Sequence, residues 1–356
     1  MSMRGNDADI TASTDANTNT NTNTNTNTGT DAEANVGTNA NVSATTSAKA
    51  AANVRTKPNP AIQQTPRSML IGIGLVLAGG IMWGTNATVS KVLMGTYHAD
   101  PFWLACIREL FAGALFLAVA AAREPKQLRG AIRDHRSYPQ LVVCSLVCVL
   151  ITQVAYLSSI DWTNSGTATV LQSLNLLVVL AYVCIHGRRL PALREGIGVA
   201  LAFVGTVLIA TGGDLTTLKL PLMGLFWGAI NALATGGLSI LPAKLMTKWG
   251  NLTVNGIMFV ISGAILLPIV QPWANSPALD WVGVLLMVYT VVCGTFGGYG
   301  LFLAGVLRIG SMRATMLGTS EPLAATVSAV LVTGAVFSMT DLVGFAMIII
   351  MVFLVR

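Results

Sequence analysis

Charge is scarce in this 356-residue chain: charged residues make up 10% of it and hydrophobic residues 53%. A soluble chain of this length needs far more Lys and Glu to cover its surface, so the composition excludes a soluble globular class and points into a bilayer. Histidine is nearly missing. His98, His135 and His186 fall at loops or expected helix ends, and no His/Cys/carboxylate cluster with metal-ligand spacing lies in an apolar run. There is no G-x-x-x-x-G-K-[ST] phosphate loop, so ATP is not expected to act on this chain. There is no G-x-S-x-G elbow to support a hydrolase. The five cysteines (Cys106, Cys144, Cys148, Cys184, Cys293) all sit inside apolar runs and read as small core residues, not disulfide partners or metal ligands. The net charge of +6 is not gathered into a stripe, which argues against nucleic acid as a partner. Neither an enzyme activity nor a cofactor or metal is expected.

What is present begins with a polar tail. Residues 1–67 are rich in Asn, Thr, Ala and Asp, with an Asn-Thr repeat from Asn17 to Thr28, and this composition predicts disorder. From Met69 onward apolar runs of bilayer length follow one another. A helix needs ~20 such residues to cross a ~30 Å hydrocarbon core. Ten spans are expected, at 69–94, 101–122, 138–159, 164–186, 194–213, 221–244, 253–273, 281–305, 312–334 and 340–355. An even count puts both termini on one side. Sixteen Lys and Arg, from Arg55 and Arg67 through Arg133 and Arg189 to Arg356, then fall on that side and only Lys219 on the other, which makes it the cytoplasmic side of a cell membrane. Trp103, Trp162, Trp273 and Trp281 fall at expected outer boundaries, where indoles anchor at headgroups.

The chain also resembles itself. Displaced by 146 positions, Ser165–Leu177 (SGTATVLQSLNLL) overlies Ser311–Leu323 (SMRATMLGTSEPL): Ser165 meets Ser311, Ala168 meets Ala314, Leu171 meets Leu317, and Asn175 meets Glu321. The stretch from Gly74 likewise resembles the one from Gly224. Two halves of five spans each, 68–213 and 214–356, enter the membrane from opposite sides, giving an inverted repeat. The expected fold is therefore an all-α integral membrane protein of ten transmembrane helices in two inverted five-helix repeats.

At this point the chain resembles the EamA family of the drug/metabolite transporter superfamily. The residues that carry the resemblance are Trp83-Gly84-Thr85-Asn86 with Lys91, Ile107-Arg108, Gln153 with Tyr156, the SxxATxL stretches opening spans four and nine, and Glu321-Pro322. The match covers Met69 to the C-terminus. Two departures stand out. Gly187-Arg188 and Gly334-Ala335 occupy places where the family usually has Gly-Glu, and Asn175-Leu176 stands where span four often carries Pro. The resemblance implies a secondary-active carrier, exporting small metabolites such as amino acids by alternating access. The alternatives are a carrier of nucleotide-sugars or other phosphorylated compounds, and a membrane scaffold or enzyme without transport. A homodimer stays open.

The site residues follow from polarity placed deep in apolar spans. Glu321 lies ~13 Å into span nine at 1.5 Å per residue, where a carboxylate must face a cavity or a partner. It is the candidate for proton coupling or for a substrate amine, against a structural Glu beside the kink of Pro322. Arg108 lies ~10 Å into span two and suits a substrate carboxylate or phosphate, or else snorkels outward. Its neighbour Glu109 points about 100° away and is expected to find a partner on another helix. Lys91 snorkels at the outer end of span one. Trp83, Asn86 and Ser90 share one helix face, as a cavity wall or as interhelical glue. Gln172 and Asn175 pair on span four, and Gln153, Tyr156 and Tyr299 complete the candidate ring of substrate contacts.

Overall fold

The computed structural model describes residues 66–214, 216–310, 313–314 and 317–355. The disorder expected for the N-terminal tail falls, up to residue 65, outside them. Eight helices among the described residues are long and apolar enough to cross a bilayer. They are α1 (Pro66–Thr96), α2 (Pro101–Arg123), α4 (His135–Trp162), α5 (Ser165–His186), α6 (Leu193–Thr211), α7 (Leu222–Ile240), α9 (Asn251–Val270) and α10 (Trp281–Ile309). Two further apolar helices are shorter, α11 (Ser320–Thr333) and α12 (Met339–Leu354). Two short helices, α3 (Pro125–Arg133) and α8 (Ala243–Trp249), were not foreseen. The sixth span was expected to run to residue 244. It stops at Ile240 because Pro242 has no N–H to continue the ladder, and the chain restarts as α8.

The helix starts are written in the sequence. Asp100 caps α2, its carboxylate accepting from the Phe102 and Trp103 N–H groups at 2.8 and 3.2 Å, with Pro101 in the first turn. Asn164 caps α5 through the Thr167 N–H and Asp280 caps α10 through the Gly283 N–H. Ser338 and Asp341 form a capping box on α12. Lipid tails give helices no hydrophobic reason to associate, so close backbone approach at small residues must hold them together. Gly72 and Gly79 of α1 meet Gly305 and Gly298 of α10, Gly84 meets α11, Gly113 and Gly256 join α2 to α9, and Gly205 faces Gly344 across α6 and α12.

Four of the spans are irregular, in two matched pairs. A π-helical stretch, Cys144–Leu150, interrupts α4, and another, Tyr289–Gly297, interrupts α10; they begin 145 positions apart. α5 breaks into a turn at Ser173 and Leu174, and the chain turns again at Gly318 and Thr319, just before α11, also 145 positions on. At the first break the bonds tighten to i→i−3: Leu174 N donates to Leu171 O, and Leu177 N to Leu174 O. At the second, Glu321 N donates to Gly318 O at 3.1 Å, because Pro322 cannot serve that carbonyl.

The side from which α1 starts is here the near side. The far side is closed by packing. Leu93, Met94, Trp103, Leu157, Ile160 and Leu266 form a buried cluster, and Thr88 ties α1 to Ser165 of α5 (2.7 Å) and Ser328 of α11 (2.6 Å). Trp103 is 6% exposed and belongs to this cluster, so it is no headgroup anchor; Trp162, Trp273 and Trp281 are exposed as expected. On the near side α3 docks on α8. Gly130 abuts the Trp249 ring, and Asp134 accepts from Lys248 at 2.5 Å and from Ser137. The Lys248 ammonium, with Ser137, holds the Asp134 carboxyl below the usual carboxylate range.

Candidate functional site

One cavity of about 370 Å³ gathers nine candidate contacts: Trp83 and Asn86 (α1), Arg108 (α2), Gln153 and Tyr156 (α4), Gln172 and Asn175 (α5), Tyr299 (α10) and Glu321 (α11). Nine helices contribute to it, and the π-helical stretch of α10 reaches it through Gly294 and Thr295. It extends toward the near side along Leu238, Ser239, Met246, Leu303 and Val306. Since the far side is packed shut, this is the arrangement of a cavity open toward one face only. A second cavity of about 170 Å³, between α5, α11 and α12, shares Trp83, Gln172, Asn175 and Glu321 with the first.

The polar groups are unevenly satisfied. Arg108 does not snorkel: it is 3% exposed, its Nη2 donates to Gln153 Oε1, and its Nε and Nη1 have no partner among the described residues. The other unused groups lining the cavity are acceptors on α1, α5 and α11, and the Thr152 hydroxyl on α4. The Glu321 carboxylate makes no hydrogen bond or ion pair among the described residues, and Asn86 Oδ1 and Gln172 Oε1 are buried without a partner. Tyr156 stands among them, its hydroxyl paired with Thr169 Oγ1 at 2.8 Å. Buried polar groups are normally paired, so unused donors and acceptors lining a cavity mark where a ligand would supply partners.

Apolar surface fills the rest. Trp83 stacks at a tilt on Phe302 at 5.1 Å, and Phe116 packs edge-on against Tyr299 at 5.4 Å. The Tyr299 hydroxyl accepts from Asn255 Nδ2 at 3.2 Å. Asn255 itself escaped the sequence reading because it lies one turn from the start of α9, where an Asn reads as a helix end. Thr152, Thr235 and Ser239 also line the cavity unforeseen; hydroxyls in an apolar run give no signal of which way they face.

The remaining polar residues have structural partners. Ser90 leaves the expected stripe, its Oγ donating to Asn86 O at 2.9 Å within α1. Lys91 donates to the Asp161 carbonyl at 2.6 Å. Glu109 is fully buried between α2 and α9, where Ser262 Oγ donates to its Oε2 at 2.5 Å and Oε1 is left unpartnered. All five cysteines are free thiols.

Comparison with known proteins agrees with this architecture. An uncharacterized inner membrane transporter of Salmonella typhimurium, YicL, is 29% identical over 280 residues, covering 79% of this chain and 93% of its own. An uncharacterized transporter of Bacillus subtilis, YwfM, is 24% identical over 276 residues, 76% of this chain and 89% of its own. A protein of known crystal structure superposes with a TM-score of 0.56 at 15% identity, over 82% of this chain and 96% of its own, which speaks for the fold alone. The model of the EamA-like transporter family matches twice, over residues 70–211 and 222–356, and the chain belongs to that family of multi-pass membrane transporters.

Proposed function

We propose that this transporter is a secondary-active carrier of small zwitterionic metabolites, amino acids above all, moving them out of the cell. The observation that carries the reading is that one cavity is lined both by unused donors on Arg108 and by unused acceptors on Glu321, Asn86 and Gln172. A carboxylate at the guanidinium and an ammonium at the carboxylate would satisfy both ends at once. Trp83, Phe302 and Tyr299 would hold the apolar part between or below them. Glu321, without a hydrogen bond or ion pair among the described residues, takes a proton when no ammonium is bound and so links the return step to the proton gradient. The cavity volume falls within the ~300–1,000 Å³ of small-molecule sites.

Transport would proceed by rocking the halves 68–213 and 214–356, two inverted five-helix repeats, about this site, with both termini cytoplasmic. The matched breaks in α5 and before α11 support this, since discontinuous helices from two related halves meeting at mid-depth are how inverted-repeat carriers build their sites. A phosphorylated substrate is disfavoured. Among the described residues Arg108 is the one cation lining the cavity, Lys91 being held by the Asp161 carbonyl. The test is efflux from proteoliposomes loaded with a mixed metabolite pool, read by mass spectrometry. Selective loss of amino acids is expected; loss of phosphorylated compounds alone, or no loss from folded protein, would overturn the reading.

A further inference from the structure

The short helix α3 has two faces, and only one is used by the protein. Gln127, Gly130, Ala131 and Asp134 turn toward α8: Gly130 lies on the Trp249 ring, Ala131 is 1% exposed, and Asp134 is tied to Lys248. These positions recur at helical spacing, so the opposite stripe is presented outward by a rigid mount. That stripe holds Arg129, Ile132 and Arg133, and Arg136 follows in the turn after the helix breaks at Asp134, all exposed. None of these arginines, nor the exposed Lys126, enters an ion pair among the described residues. The two nearby carboxylates do not neutralise them. Asp134 is occupied by Lys248 and Ser137, and Glu124 lies against Gly250 on the docked side.

An apolar groove of about 230 Å³ shares Ile132 with this stripe and Ala131 with the docked face. Ile132 of α3 forms its rim, Tyr138 and Val142 of α4 one wall, and Ile257 and Ile261 of α9 the other. Ile132 and Val142 are 53% and 40% exposed, so the groove faces outward, away from the transport cavity. Its walls are the first two turns of α4 and the second and third turns of α9 from their near-side ends, ~10–15 Å of depth. The groove therefore runs from the headgroup level into the hydrocarbon. Four cations without an ion pair among the described residues, on the segment 126–136 that also supplies Ile132 to this slot of acyl-chain character, match an anionic lipid in both of its parts.

We propose that α3, α4 and α9 form a specific site for an anionic phospholipid of the near-side leaflet, with its phosphate on Arg129, Arg133 and Arg136 and an acyl chain along Ile132, Val142, Ile257 and Ile261. The site stands apart from the transport cavity, and its occupancy is measured without any flux. Each arginine is expected to contribute about fivefold in affinity.

The test uses the purified full chain in a neutral detergent, with thermal unfolding and native mass spectrometry reading bound lipid. Phosphatidylglycerol, phosphatidylcholine of the same acyl chains, and free glycerol phosphate are titrated in parallel. Phosphatidylglycerol is expected to be retained and to raise the melting midpoint at concentrations at least tenfold below phosphatidylcholine, and glycerol phosphate to do nothing. The combined substitution Arg129→Gln, Arg133→Gln, Arg136→Gln should weaken phosphatidylglycerol on the order of a hundredfold. Val142→Trp, at an exposed position, should weaken both lipids by filling the groove. Equal response to the two lipids in the wild type, full retention by the triple variant, or an equal effect of glycerol phosphate alone would each overturn the proposal.

Discussion

Replacing Arg108 with Met should weaken transport and leave the protein no less stable. In the wild type the guanidinium is 3% exposed, with one hydrogen bond, to Gln153, and two nitrogens lacking a partner among the described residues. Each unpaired buried polar group costs ~1–3 kcal/mol, more when charged. The substitution removes both and loses one charge-assisted bond of ~1.5–3 kcal/mol. The apolar side chain fills much of the volume, and Gln153 keeps its place on the cavity wall. The balance lies between zero and a few kcal/mol in favour of the variant, a rise of up to several degrees at ~2–4 °C per kcal/mol. Binding should move the other way. Loss of one partner from a desolvated, hydrogen-bonded charge pair costs ~2–5 kcal/mol, or at least roughly 30-fold in half-saturation. Melting in detergent and uptake into proteoliposomes measure the two effects. A variant that melts several degrees lower and transports with unchanged half-saturation would show that Arg108 is a structural residue and refute the argument.

Three further outcomes follow from the packing. Gly84→Ala should destabilise by ~1–3 kcal/mol, because its Cβ would stand 2.5 Å from the Glu321 carbonyl oxygen and 2.7 Å from Ala325 N, neither of which can swing aside; thermal unfolding checks this. Ser262→Ala leaves the fully buried Glu109 with no partner on either oxygen and should lower the melting temperature by the equivalent of ~1–3 kcal/mol, while Ser262→Thr, which keeps the hydroxyl, should not. Lys248→Ala removes the group that holds the Asp134 carboxyl low. A depressed carboxylate contributes stability above its unfolded value, and that stability is lost as pH falls through the folded one. The wild type should therefore melt above the variant at neutral pH, with the gap closing in acid below the ordinary carboxylate range.

Much of this was legible because a bilayer makes polarity expensive. Nine residues chosen for being polar or aromatic deep in apolar runs all reach one cavity, since there was nowhere else for Glu321, Arg108 or Gln172 to go. Glu109 shows the other outcome of the same cost, a partner on a neighbouring helix. What escaped was geometry without a compositional mark. The break at Ser173 and Leu174 has neither Pro nor Gly to announce it. The π-helical stretches are a matter of one extra residue per turn, invisible to a hydropathy profile. Trp103 occupies a boundary position in sequence, yet its indole turns inward to the far-side cluster, because a helix end says nothing of which face a ring takes. The α3–α8 contact joins segments over a hundred residues apart through Asp134 and Lys248, and only the fold brings them together.

The central claim, that one cavity reads both ends of a zwitterion, is tested most directly by pairing substrate analogues with variants in proteoliposomes. Flux is compared for a transported amino acid, its carboxamide and its des-amino acid, through wild type, Arg108→Met and Glu321→Gln. The account predicts that Arg108→Met penalises the amino acid and the des-amino acid but not the carboxamide, and that Glu321→Gln penalises the amino acid and the carboxamide but not the des-amino acid. Equal penalties on all three compounds from both variants would contradict it.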